Sequence, residues 1–189
     1  MPKDESADFA VLDSEVAFHG KIWNIIREKF RFGEQVLTRE FVDHPGAVAV
    51  IALNEDGEVL LLRQYRHPVR SYLWEVPAGL LDVAGESQVA AAERELLEET
   101  GYRAEKMEYL TEFFTTPGGN NETIFIYLAT RLEHVGHQLE LEGEELDLEV
   151  RWFSLEEALG SVLRAEIKSP SAAVAIFALA NRLGLRADV

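Results

Sequence analysis

Apolar positions along this chain follow two rhythms, one of strands and one of helices. Residues 47–53 (AVAVIAL) form an unbroken apolar run, which predicts a strand covered on both faces. The turn residues Asn54-Glu55-Asp56-Gly57 lead into a second run at 58–64 (EVLLLRQ), and the pair reads as a hairpin. Upstream, residues 9–42 alternate in a strand-like way around Gly33, and His44-Pro45-Gly46 ends the segment. That predicts a small N-terminal antiparallel sheet over 1–43, set apart from a main domain over 44–189, with residues 1–8 a frayed polar end. Further strands are expected at 74–77, 107–115, 123–129 and 149–153. Three helices carry their own boundary signals. Residues 87–100 are helical in composition, and Gly101 stands where a left-handed cap is wanted. Ser154-Leu155-Glu156-Glu157 is a capping box that opens a helix to about Arg164. Ser169-Pro170 opens the last helix, with proline in its first position. Strands and helices mix without strict alternation, so the fold class is α+β, a sandwich of the two.

Composition narrows the chemistry. The 189 residues hold no cysteine, which excludes disulfides, thiolate zinc sites and cysteine nucleophiles. The start, MPKDESADFA, lacks the apolar segment of a signal peptide, and the apolar stretch 172–180 is too short to span a bilayer. A cytoplasmic location is expected. The formal net charge of −16 repels nucleic acid. It also repels phosphates, so a polyphosphate substrate would need bound cations or placed arginines.

The acidic residues are ordered rather than scattered. On a helix over 87–100, Glu95 and Glu99 stack on one face, with Glu98 beside them. Like charges so spaced destabilise a helix unless something cationic lies between them. Arg94 can pair with Glu98 but cannot neutralise every carboxylate. Oxygen donors at this density suit a hard divalent ion, Mg²⁺ first, with Mn²⁺ as the alternative. Val89, Ala92 and Leu96 form one apolar side and Ala90 with Leu97 another, which leaves the acidic strip facing a cleft. A solvated acidic face is the bland alternative for any run of glutamates.

The order Glu86, seven residues, Arg94-Glu95-Leu96-Leu97-Glu98-Glu99-Thr100-Gly101 resembles the signature of the Nudix hydrolases. Two departures stand out: six residues rather than five separate Gly79 from Glu86, and Tyr102 replaces a final aliphatic residue. The extra residue falls in the loop before the helix and leaves the spacing on the helix intact. The segment Leu73-Trp74-Glu75-Val76-Pro77-Ala78-Gly79 and the loop Thr116-Pro117-Gly118-Gly119 are similar to the ADP-ribose pyrophosphatase branch of that family.

The resemblance implies a Nudix α/β/α sandwich with a mixed sheet, beside the small N-terminal sheet. It implies Mg²⁺-dependent hydrolysis of the pyrophosphate of ADP-ribose to AMP and ribose 5-phosphate, by a water that the metal activates. Glu95 and Glu99 would be the main metal ligands, with Glu98 close by, the backbone carbonyl of Ala78 in addition, and Glu86 an accessory ligand held by Arg94. Arg66 would meet a phosphate, Arg39 and Trp23 the adenosine side, and Glu122 the terminal ribose, with Pro117 in the substrate loop. The general base would be a glutamate in the acidic loop 140–147, Glu145 first and Glu144 next, with Glu98 also among the catalytic carboxylates. Each of these residues has a plainer reading: a surface arginine, a cross-strand ion pair, a core or dimer aromatic, a solvated loop glutamate. The five histidines show no metal-ligand spacing and read as surface residues. A homodimer is implied, in which the N-terminal sheet reaches the partner and Trp23 and Arg39 complete its site. Another nucleoside diphosphate derivative, such as a sugar, a dinucleotide or NADH, is the alternative substrate. A non-catalytic nucleotide sensor is disfavoured, because Glu86, Glu95, Glu98 and Glu99 are all present.

Overall fold

The computed structural model describes residues 1–136 and 148–185, which divide into two compact units. The first comprises Met1–Pro45 and Phe114–Glu122, and the second comprises Gly46–Phe113 and the described residues from Thr123 onward.

The first unit is a three-stranded antiparallel meander of β1 (Val11–His19), β2 (Asn24–Phe32) and β3 (Gln35–Asp43). Gly33, at φ +60°, makes the turn between Phe32 and Gln35 that sets the β2–β3 register. Arg27 bridges to Glu15 at 2.9 Å and to Glu40 at 2.6 Å, and Lys29 reaches Asp13 at 3.2 Å. These exposed pairs fix register more than they stabilise. The loop ending at Glu122 is stitched to the end of β3. The Val42 N–H donates to Gly119 O at 2.9 Å, the His44 N–H to Asn121 Oδ1 at 2.8 Å, and Asn121 Nδ2 to Asp43 Oδ1 at 3.0 Å.

The second unit is built on β4 (Ala47–Ala52), which pairs antiparallel with β7 (Ala78–Leu80) and parallel with β9 (Thr123–His134). With β8 (Tyr102–Phe114) they form a mixed sheet in the order β7-β4-β9-β8. A second sheet has the order β10-β5-β6, from β10 (Glu149–Ser154), β5 (Glu58–Arg66) and β6 (Ser71–Glu75). The two-residue period of β4 divides the interior. Ala47, Ala49 and Ile51 join a core with α2 (Leu155–Leu163) and α3 (Pro170–Leu183). Val48, Val50 and Ala52 join a separate core with α1 (Gln88–Thr100). β9 alternates likewise, with Ile124, Ile126 and Leu128 on the first side and Tyr127 and Ala129 on the second. Helices therefore cover both faces, giving the α+β class expected from the chain's pattern and the α/β/α sandwich with a mixed sheet that the family resemblance implies. Full burial of one such isoleucine or leucine contributes about 1.5–3 kcal/mol.

The helix boundaries fall where the caps indicate. Ser87 caps α1 and Gly101 closes it at φ 72°. Ser154 accepts the Glu157 N–H at 3.1 Å. Pro170 opens α3 and Gly184 ends it. The expected hairpin is a correction. β4 and β5 are joined by the Asn54–Gly57 turn, but only one bridge, Leu53 to Val59, links them before they part into different sheets. Both strands are buried on both faces and satisfy their backbones elsewhere, β4 against β7 and β9, β5 against β6 and β10. β8 begins at Tyr102 and β9 runs to His134, both longer than the apolar runs suggest, and the three-residue β7 went unread. Among the described residues, no helix is long and apolar enough to cross a membrane.

Candidate active site

The acidic site forms where α1 meets the start of β7. Ser87 Oγ accepts the Ala90 N–H at 3.2 Å, a cap that starts the helix at Gln88, two residues after Glu86. The buried side of α1 is Ala91, Ala92, Leu96, Glu99 and Thr100. This corrects the expected apolar flanks, because Val89 and Ala90 are exposed. They lie in the first turn of α1.

Glu99 is thus a buried carboxylate, 8% exposed, and its Oε2 accepts the Ala78 N–H at 2.9 Å. Glu95, one turn earlier, lies against Gly79. A Cβ at Gly79 would overlap the Glu95 carboxylate, so any larger residue there must displace it. Arg94 gathers the rest. Its Nε and Nη2 each reach Glu86 at 3.0 Å, and its Nη1 reaches Glu95 at 2.6 Å and Glu98 at 3.1 Å. This guanidinium is the cationic neighbour of Glu86, Glu95 and Glu98, while Glu99 is held by the Ala78 N–H.

The electrostatics separate the carboxylates. Burial pushes the Glu95 carboxyl above its ordinary range, against the opposing pull of Arg94. The Arg94 hydrogen bond holds Glu86 below that range, with burial opposing. Glu86 in turn, more than any other group, binds the Arg94 proton more firmly. Four carboxylates against one guanidinium leave an excess of negative charge presented by hard oxygen donors. In chemistry the set fits a divalent cation of the Mg²⁺ type. Among the described residues no three His, Asp or Glu side chains are grouped as metal ligands. Glu86, Glu95 and Glu98 converge on Arg94 instead.

The same unit holds Arg66 at the end of β5. Its Nε and Nη2 fork onto Glu75 at 3.0 and 2.6 Å. Arg66 is a strand-end arginine with a half-exposed side chain, held by this bidentate pair.

The remaining candidates lie in the first unit. Trp23 stacks on His44, with ring centroids 4.4 Å apart and planes 27° from parallel. His44 Nε2 is 3.2 Å from Glu122 Oε1, and Thr115 Oγ1 donates to Glu122 Oε2 at 2.6 Å. Trp23 and Glu122 are therefore linked through a histidine that sequence reasoning left on the surface. Its side chain is only 8% exposed, because Trp23 and Glu122 enclose it. Pro117 occupies a tight turn in which Gly119 N–H donates to Thr116 O at 2.8 Å. Arg39 sits mid-strand on β3, exposed and opposite Glu28 in register, and its Nη1 donates to Thr38 O at 2.8 Å. Among the described residues it makes no ion pair. Glu144 and Glu145 lie outside the described residues.

Sequence reasoning missed Glu75, Gly79 as the floor under Glu95, and His44. An acid inside the otherwise apolar LWEVPA was the available signal for Glu75.

A carboxylate-rich helix set against β7 in an α/β/α sandwich presents hard oxygen donors of the kind that suit a divalent cation. The family model described as NUDIX domain matches residues 43–174, and the chain belongs to the Nudix family. It is 41% identical over 173 residues to the ADP-ribose pyrophosphatase of Mycobacterium tuberculosis (strain ATCC 25618 / H37Rv), covering 91% of this chain and 83% of that one. It is 35% identical over 185 residues to the ADP-ribose pyrophosphatase of Bacillus subtilis (strain 168), covering 97% and 99%. The fold matches a crystal structure of an ADP compounds hydrolase with a TM-score of 0.79 at 22% identity, over 96% of this chain and 97% of that one.

Proposed function

We propose that this Nudix enzyme hydrolyses the pyrophosphate of ADP-ribose, releasing AMP and ribose 5-phosphate. The observation that carries the reading is the Ala78–Glu99 lock, which sets a complete Nudix helix against the strand that begins at Ala78. The likeness to two ADP-ribose pyrophosphatases over most of the chain supports the substrate. Glu95, Glu99, Glu98, Glu86 and the Ala78 carbonyl would hold Mg²⁺, or Mn²⁺ in its place. The ion supplies neutralisation of the diphosphate charge and acidifies the attacking water.

The chain's own groups do the rest. Arg94 keeps Glu86 ionised and restrains Glu95 and Glu98 against their mutual repulsion. Arg66 offers a guanidinium to a phosphate oxygen, an interaction that no other side chain makes in so planar a form. Trp23 stacks on the adenine and Arg39 binds on the adenosine side, while Glu122 accepts from the terminal ribose. Pro117 shapes the turn beside it. Glu145, or its neighbour Glu144, takes the proton of the attacking water, with Glu98 the further catalytic carboxylate. The working form is a homodimer in which the N-terminal strands, with β1 exposed along its whole length, meet the partner.

The test is product analysis with Mg²⁺ over ADP-ribose, ADP-glucose, GDP-mannose, NADH and diadenosine polyphosphates, beside a Glu99→Gln control. Fastest release of AMP from ADP-ribose, abolished in the control, supports the reading. A different preferred substrate overturns the substrate assignment, and binding without turnover overturns the enzyme.

A further inference from the structure

Glu75 is the one buried residue of β6, and it is a carboxylate. It is 5% exposed, and a carboxylate removed from water needs a partner to remain there. It has two. Oε1 accepts from Arg66 Nε at 3.0 Å, and Oε2 accepts from Arg66 Nη2 at 2.6 Å. Gln64, itself only 7% exposed, adds Nε2 to Oε2 at 3.4 Å.

The register explains how the three meet. Leu62 lies opposite Glu75, Gln64 opposite Leu73 and Arg66 opposite Ser71, so Gln64, Arg66 and Glu75 share one face of the β5–β6 pair. The Arg66 side chain runs back over Gln64 to reach Glu75. A fork-to-fork contact fixes the plane of both groups, which a lone surface arginine lacks. Glu75 is also tied to the acidic site by a short run of chain. Pro77 O accepts the Val50 N–H at 2.8 Å, and the next residue, Ala78, donates to Glu99. The segment that holds the Arg66 guanidinium is therefore the one anchored to the catalytic helix.

We propose that Glu75 is a positioning residue: its buried carboxylate, steadied by Gln64, turns the Arg66 guanidinium toward a phosphate of the nucleoside diphosphate substrate. This rests on the reading of Arg66 as a phosphate contact. Glu75 touches no substrate itself. Its effect is to remove the freedom that Arg66 would otherwise lose on binding, so it acts on affinity more than on the chemical step.

The experiment is a double-mutant cycle with Glu75→Gln and Arg66→Ala, read by KM and kcat on ADP-ribose and by Tm. The expected Glu75→Gln result is a KM raised about tenfold or more, the scale of a lost charge-assisted pair, with kcat changed far less. Adding Glu75→Gln to Arg66→Ala should raise KM no further, because the residue acts only through the arginine. Glu75→Asp keeps the charge but shortens the reach, and should fall between wild type and Glu75→Gln. If Glu75→Gln does not fold, Glu75→Asp carries the test alone. A wild-type KM in the folded variants, or additive losses in the double mutant, overturns the proposal. A wild-type protein inactive on ADP-ribose overturns the functional reading instead, and the two failures are distinct.

Discussion

Glu99 and Ala78 are joined by one hydrogen bond, carboxylate to backbone N–H at 2.9 Å, and that bond seats the acidic helix on its strand. An amide oxygen can accept the same proton. Glu99→Gln should therefore keep the fold, with Tm within a few degrees of wild type, while ADP-ribose turnover falls by about 100-fold or more. Kinetics and thermal melts on the same preparation check both halves. Near-normal turnover would remove Glu99 from the metal-binding set.

Gly79 gives a sharper case. A methyl there meets the mobile end of Glu95 rather than packed backbone, so Gly79→Ala should fold and displace the carboxylate. The expected outcome is a small change in Tm with kcat lowered about tenfold or more. Circular dichroism melts and steady-state rates decide it. Unchanged kcat would mean that the position of Glu95 does not matter.

Glu95 carries a sign that can be tested without substrate. Its carboxyl titrates above its unfolded value because of burial, so the neutral form is the one the fold prefers. Stability from this group is fully present below the unfolded pKa and is lost as pH rises through the folded one. At pH 7 the metal-free protein bears that penalty, and Glu95→Gln should raise its Tm in the presence of a chelator. Mg²⁺ should raise the wild-type Tm by binding only the folded state, and should do so less in the variant. A lower Tm for chelated Glu95→Gln would contradict the burial account.

Leu96→Ala and Ile126→Ala compare the two cores. Both side chains are fully buried, and each truncation should destabilise by about 2–5 kcal/mol in denaturant melts. Leu96 lies on the acidic helix, whereas Ile126 faces α2 and α3. Only Leu96→Ala should lower the activity of the folded fraction. Equal losses would show that the two cores do not act separately on the site.

The helices were legible in the chain because their signals are local. Ser87 with Gly101, Ser154 with Glu157 and Ser169 with Pro170 each mark an end within a turn of sequence. The glutamates of α1 were legible because helical spacing alone sets their face. What failed depends on partners distant in sequence. Val48 pairs with Phe125 and Leu62 with Val150, and nothing near residues 47–64 announces either, so a tight turn between two apolar runs read as a hairpin. His44 looked solvated until Trp23 and Glu122 closed on it from elsewhere in the chain. Glu75 shows the same limit, since its partner Arg66 comes from the neighbouring strand.

β4 carries a further consequence. Ala49 points toward the α2–α3 layer, yet its backbone lies between Ala78 on β7 and Ile126 on β9. The strand is a partition shared by two rooms. Enlarging Ala49 would crowd one room and lean the wall into the other, moving Ala78 away from the carboxylate that holds it. The small side chain of Ala49, on the side without chemistry, thus sets how β7 can sit beside the acidic helix.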